Sequence, residues 1–223
     1  MKNFVKKLTG FTLAEVLITL LIIGVVASLV IPAIIQDAQQ AEFKAAWKKA
    51  YADIDQTVKM NMIDNGGDLV SAFQNTNDYT DKILAHLAFT KKCYFGYSTG
   101  NCWHSGQSLH QLNGNPEDFW ANDNDPGAVL SNGNLLYFYF RSIECTDRSG
   151  GNINFDICGQ IMVDVNGFKG PNTIGKDVFG IWVKKNGIMP YGTIEDNWID
   201  ATTISTCNPI KTGWGCSAKY LYQ

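Results

Sequence analysis

The chain is 223 residues long, 45% hydrophobic and 17% charged, which excludes a low-complexity disordered chain and leaves enough material to bury a core. Its formal charge is -3, yet Lys2, Lys6 and Lys7 all precede the first apolar run, so the remainder of the chain is more acidic than the whole. That balance argues against nucleic-acid binding by bulk electrostatics, and no nucleic-acid partner is expected.

The first element is short and basic, residues 1–10. It runs into 25 residues, 11–35, that are almost wholly apolar. At ~1.5 Å per residue these make about 37 Å of helix, enough to cross a hydrocarbon core of roughly 30 Å. Lysines before the run and none immediately after it place its start in the cytoplasm and the bulk of the chain outside. A secretory signal peptide would have a shorter apolar core and a small-residue exit; here the run is long, Pro32 interrupts its end, and no convincing Ala-x-Ala stands at its exit. Glu15 is the anomaly, because a carboxylate in a spanning helix costs free energy unless it has a partner or reaches the headgroups.

Gly10-Phe11-Thr12-Leu13-Ala14-Glu15-Val16-Leu17, with the basic leader before it and Pro32 after it, resembles the processing and methylation motif of type IV prepilins and type II secretion pseudopilins. The resemblance implies that a membrane aspartyl peptidase cuts between Gly10 and Phe11 and methylates the new amine on Phe11. Glu15 would then meet the Phe11 amine of a neighbouring subunit, a buried polar pairing that selects register during assembly. Pro32 removes a backbone donor and is expected to bend or locally loosen the helix. Gly24, Ala27 and Ser28 offer a small-residue face, though such residues are common in membrane helices anyway. The implied partners are copies of the chain and other pilins or pseudopilins, the prepilin peptidase and an inner-membrane assembly platform. The implied location is a single pass through the inner membrane with the head periplasmic or extracellular, and later a filament.

The helical period continues past the apolar run, with Phe43, Trp47, Tyr51, Ile54 and Val58 on one stripe and Ala50 beside it, until Asn65-Gly66-Gly67 supplies a stop. A continuous helix over 12–64 would be about 80 Å long. Residues 78–89 read as a short amphipathic helix with Ile83, Leu84, Leu87 and Ala88 turned inward. Residues 93–134 are rich in Gly, Asn, Asp and aromatics, with turns expected at 114–120 and 122–127, and read as loops with variable surface features. Strands are expected over 135–143, 159–165, 178–184 and 188–191, the last two joined at Lys185-Asn186-Gly187. The fold class is α+β: a pilin-like lollipop, its long helix packed on an antiparallel sheet head with disulfide-clipped loops. Its parts are a leader over 1–10, a membrane and assembly half-helix over 11–35, an amphipathic half over 36–64, and a head over 65–223.

The cysteines are Cys93, Cys102, Cys145, Cys158, Cys207 and Cys216, all beyond the apolar run. An even number on one side of an anchor reads as disulfides in an oxidising compartment, and six cysteines allow 15 pairings. The favoured set joins sequence neighbours: Cys93–Cys102, Cys145–Cys158 and Cys207–Cys216. A zinc site from Cys93, Cys102, His104 and His110 lacks the usual short ligand spacings. Asp164, Asn166 and Asp177 are weak calcium candidates, since some pseudopilins bind calcium in a C-terminal loop, but their spacing is not that of an EF-hand and turn chemistry accounts for them. No cofactor is otherwise expected. His86, His104 and His110 accompany no nucleophile motif or phosphate loop, so no enzyme is expected. The chain reads as a filament subunit, major or minor; the alternative is a membrane-tethered binding protein or enzyme that never polymerises.

Overall fold

The computed structural model describes residues 10, 12–105, 108–117, 125–146, 156–193 and 204–222. The chain divides into two compact units, Met1–Ala41 and Glu42–Gln223. Helix α1, Leu13–Asp64, begins in the first and ends in the second.

In the first unit no described side chain is buried. Leu13 is 79% exposed, Leu21 67% and Leu29 73%. The helix runs without interruption through Pro32. Thr19 and Ser28 donate their hydroxyls to the backbone oxygens of Val16 and Val25, at 2.9 and 2.8 Å. Polar side chains so satisfied within their own helix can face an apolar medium without an orphaned donor.

In the second unit the helix has a core face. Trp47, Ala50, Ile54 and Val58 are buried, with Phe43 and Tyr51 partly buried beside them. Thr57 and Asn61 are buried too: Asn61 Nδ2 donates to the carbonyls of Thr57 (3.0 Å) and Lys82 (3.1 Å), tying α1 to the next helix. The helix ends in a Schellman motif, with Gly67 N donating to Met62 O, Gly66 N to Ile63 O, and Gly66 at φ 86°.

Helix α2 is Thr76–Leu84, capped by Asn75, whose side chain accepts from the backbone N–H of Asn77 and Asp78. It therefore starts earlier and stops well short of residue 89. Ile83 and Leu84 are buried as expected and Leu87 is partly buried, but Ala88 is exposed, because the chain has left the helix and turns towards a strand.

Six antiparallel strands come next, in chain order across one sheet: β1 Phe89–Cys93, β2 Gly127–Leu130, β3 Leu135–Phe140, β4 Ile157–Asp164, β5 Val178–Lys184 and β6 Gly187–Pro190. β5 and β6 form the hairpin over Lys185-Asn186, pairing Lys184 with Gly187. The last four strands lie within two or three residues of the expected bounds. β2 corrects the loop reading of 93–134, since Gly127-Ala128-Val129-Leu130 is a four-residue strand registered on Leu135–Tyr137, while β1 lies before that stretch except for Cys93. Of the two turns expected there, 118–124 lies outside the described residues.

Both faces of the sheet are covered. Leu136, Phe138, Ile161, Val163, Phe179, Ile181 and Val183 join the core beneath α1 and α2. The alternate residues Leu135, Tyr137, Met162, Val178 and Trp182 join a second core with Trp103, Leu109, Ile174, Tyr191 and Trp214. The period of two is clean. Segments expected to be surface loops thus form a second apolar layer, and Trp103 is fully buried. At Gly180 a Cβ would collide with the Tyr191 ring, which occupies the space a side chain would take. The chain closes with helix α3, Cys216–Tyr222, packed through Cys216 and Tyr220 into the first core.

Candidate functional site

Two places hold the residues singled out by sequence. The first is the start of α1. Gly10 is exposed, and a Cβ built on it would meet nothing within 4 Å, so it lies in open space. Phe11 lies outside the described residues. Thr12 is the residue before the helix, and its carbonyl accepts from Val16 N at 3.2 Å. Glu15 N donates to Thr12 Oγ1 at 3.2 Å, while Glu15 Oε2 accepts from Thr12 N at 2.8 Å and from Thr12 Oγ1 at 2.9 Å. This is a capping box: two helix-end donors are satisfied reciprocally by a Thr and the Glu three residues on. The carboxylate also lies at the positive end of the helix dipole.

Glu15 therefore has a partner within its own chain, in addition to the neighbour's amine that the sequence resemblance implies. Its signal stands in the sequence as Thr-x-x-Glu ahead of an apolar run. Since its carboxylate is fully exposed, it stays accessible to a cation brought to the helix end.

The second place lies around the β4–β5 connection. His104 and Asp164 are both buried, and His104 Nε2 sits 2.8 Å from Asp164 Oδ2. Asp164 Oδ1 accepts from Asn166 N at 2.9 Å. Asp177 is also buried; its Oδ1 accepts from Thr173 N at 2.6 Å and its Oδ2 from Asn172 N at 2.8 Å. Burial pushes the Asp164 carboxyl above its ordinary value, opposed by the hydrogen bond from His104. Asp177 is pushed up to about 6, mainly by burial and then by repulsion from Asp164. Each of these four carboxylate oxygens thus already faces a nitrogen: three backbone N–H groups and the His104 ring. Turn formation and loop anchoring account for this arrangement. Asn166 donates its side-chain amide to Gly170 O at 3.1 Å, which closes the same turn.

Disulfide bonds join Cys93 to Cys102, Cys145 to Cys158, and Cys207 to Cys216. The zinc alternative therefore has no thiolates to use, and its His104 is engaged by Asp164. His110 is held through its backbone, between Asn172 O and Ile174 N. His86 is exposed beside a groove of about 330 Å³ that is also lined by Asp53, Met60 and Leu87. Among the described residues no group of three or more His, Cys, Asp or Glu side chains could hold a metal.

Helix α1 is the one described helix long and apolar enough to cross a membrane, with an 18-residue stretch of mean hydropathy 2.8 that is 0% buried in the chain's own fold. Comparison with known families finds the prokaryotic N-terminal methylation motif at residues 6–31, the prepilin-type signal. No curated protein and no solved structure matches the chain.

Proposed function

We propose that the chain is a structural subunit, a pilin or pseudopilin, of a type IV pilus-like or type II secretion filament. A prepilin peptidase cuts it after Gly10 and methylates Phe11. It waits in the inner membrane with its amino terminus cytoplasmic and residues 65–223 on the far side, then joins copies of itself and other pilins at an assembly platform.

The observation that carries this reading is the match to the methylation motif directly on an apolar stretch of helix, over 13–35, in which no described side chain is buried. A plain anchor needs the apolar surface and would use Glu15 as a helix cap alone. In the proposed assembly the capping box holds the carboxylate at the helix end of the single chain. A neighbour's methylated amine then competes with Thr12 for Glu15, exchanging hydrogen bonds from neutral donors for one from a cation. Pro32 supports the same account: the backbone there has one donor fewer, so local loosening on assembly costs less than elsewhere in the helix.

Glu15→Leu tests the reading in cells that carry the assembly machinery. The expected result is a membrane-inserted, processed chain absent from the sheared filament fraction. A variant that polymerises like the wild type would contradict the assembly role of Glu15, and a wild-type chain that never leaves the membrane fraction would make it a tether.

A further inference from the structure

The loop after β1 has features that assembly through α1 does not use. Cys93 and Cys102 close it, and its interior is fixed at several points. Ser98 is fully buried, and its carbonyl accepts from the N–H groups of Asn101, Cys102 and Trp103 at 3.0, 2.8 and 3.1 Å. Gly100 N donates to Trp103 O at 2.8 Å. A Cβ on Gly127 of β2 would collide with Ser98 Oγ, so the base of the loop is pressed onto the sheet. The outer part turns at Gly96, φ 87°, with Tyr97 N donating to Tyr94 O at 3.0 Å.

On this fixed base three aromatic rings face outward: Tyr94 is 43% exposed, Phe95 60% and Tyr97 74%. Rings left in water on an ordered, stapled loop forgo the burial that elsewhere in this unit places Trp47, Trp103, Trp182, Phe138 and Phe179 in the cores. The groups around them are polar but not a free basic patch. Lys92 Nζ lies 4.6 Å from the Tyr94 ring centroid and 2.8 Å from Asp81 Oδ1, so its charge is matched. Lys91 Nζ donates to Asn101 Oδ1 at 3.2 Å. Asn77 Oδ1 accepts from Phe95 N at 3.5 Å.

We propose that this loop binds a neutral carbohydrate chain, with Phe95 and Tyr97 as stacking platforms. A pyranose presents polarised C–H groups on one face and hydroxyls around its rim. The first suit the negative face of an aromatic ring, and the second suit the Tyr hydroxyls and the Asn77 and Asn101 amides beside it. A single-stranded nucleic acid would also stack, but it calls for a row of cations along its backbone, and here Lys92 is paired with Asp81, which leaves Lys91 alone without an opposite charge among the described residues. A protein surface buried against the loop would have to cover the amides and lysines interleaved with the rings, which a hydroxylated ligand satisfies instead. The proposal holds whether or not the chain polymerises.

The test is isothermal titration of the full chain in detergent micelles with cellohexaose, chitohexaose and xylohexaose, with a short oligothymidylate as comparator. At least one hexasaccharide should bind saturably. Tyr97→Ala and Phe95→Ala should each weaken that binding roughly tenfold, as loss of a stacking ring does. Ile210→Ala, which removes an exposed apolar side chain elsewhere, should leave it unchanged. Melting temperatures of the loop variants matching the wild type show that a loss of binding is not a loss of fold. Failure of all three sugars to bind would overturn the proposal, as would binding indifferent to both loop substitutions. Preference for the oligothymidylate, or loop variants that change self-association instead of sugar binding, would equally overturn it.

Discussion

Helix α1 offers two stretches of the same secondary structure with opposite relations to their surroundings. Between Leu13 and Ala41 no described side chain is buried, although nearly every residue up to Ile35 is apolar. Between Glu42 and Asp64 apolar residues are fewer, yet Trp47, Ile54 and Val58 are at most 1% exposed. The second stretch has an amphipathic stripe and a sheet to bury it against; the first is apolar on all sides and has no such layer in its own unit. An apolar face is stabilised only where something removes it from water. In the proposed filament subunit that something is lipid or other helices, which suits a stretch that is apolar all round where the second is apolar on one stripe.

This contrast predicts how substitutions divide. Trp47→Ala should have the largest effect: the ring stacks on Phe179 at 4.7 Å and its Nε1 donates to Ser217 O at 2.9 Å, so its loss should cost about 3–5 kcal/mol in a thermal melt. Leu21→Ala, equally apolar but exposed, should leave that melt unchanged. A head destabilised as much by Leu21→Ala would break the distinction.

Joint replacement of Cys145 and Cys158 by Ala comes next. The bond joins the segment after β3 to β4 within the first core, and its removal should cost roughly 2–4 kcal/mol by denaturant titration.

The buried carboxylates sharpen the account of the second unit through pH. The ordinary value for Asp177 is 3.8 and its value in the fold is about 6, so the folded chain holds a proton that the unfolded chain releases in this window. Stability from this group is fully present below 3.8 and is lost as pH rises through about 6. Asp164, raised in the same direction by burial against the lowering effect of the hydrogen bond from His104, adds to the slope. Raising pH across that window should therefore lower the wild-type melting temperature relative to Asp177→Asn, by on the order of 1–3 kcal/mol in stability. A difference between the two proteins that does not vary with pH would contradict the assigned shift.

The smallest effect on the head is expected from Thr12→Val. It removes the hydroxyl of the capping box, so the first turn of α1 should exchange its amide hydrogens faster in micelles, with the melt of the second unit unchanged.

Much of this was legible in residue order. The 3.6 period from Phe43 to Val58, the Asn65-Gly66-Gly67 stop and the Asn186-Gly187 hairpin are local signals, and local signals survive without knowledge of contacts. β3 to β5 are legible for a similar reason, being rich in β-branched and aromatic residues, and β6 follows from the Asn-Gly hairpin. β1 was hidden because Phe89-Thr90-Lys91-Lys92 has no apolar alternation, and β2 because Gly127-Ala128-Val129-Leu130 is short and begins with glycine. The second covering layer was not legible either. A strand buried on both faces reads as a continuous apolar run, which does not say what lies on each side. The pairing of His104 with Asp164 joins residues 60 apart and is a product of that layer. Glu15 is a different case, because its Thr-x-x-Glu capping signal is local and lies wholly within residues 12–15.

The central claim is that the first stretch of α1 is a processed assembly element. The most direct measurement is the intact mass of the chain extracted from its native membrane, with fragmentation of the amino terminus. The account predicts a chain that begins at Phe11 carrying one methyl group. A chain that retains residues 1–10 in a cell with an active prepilin peptidase would contradict it.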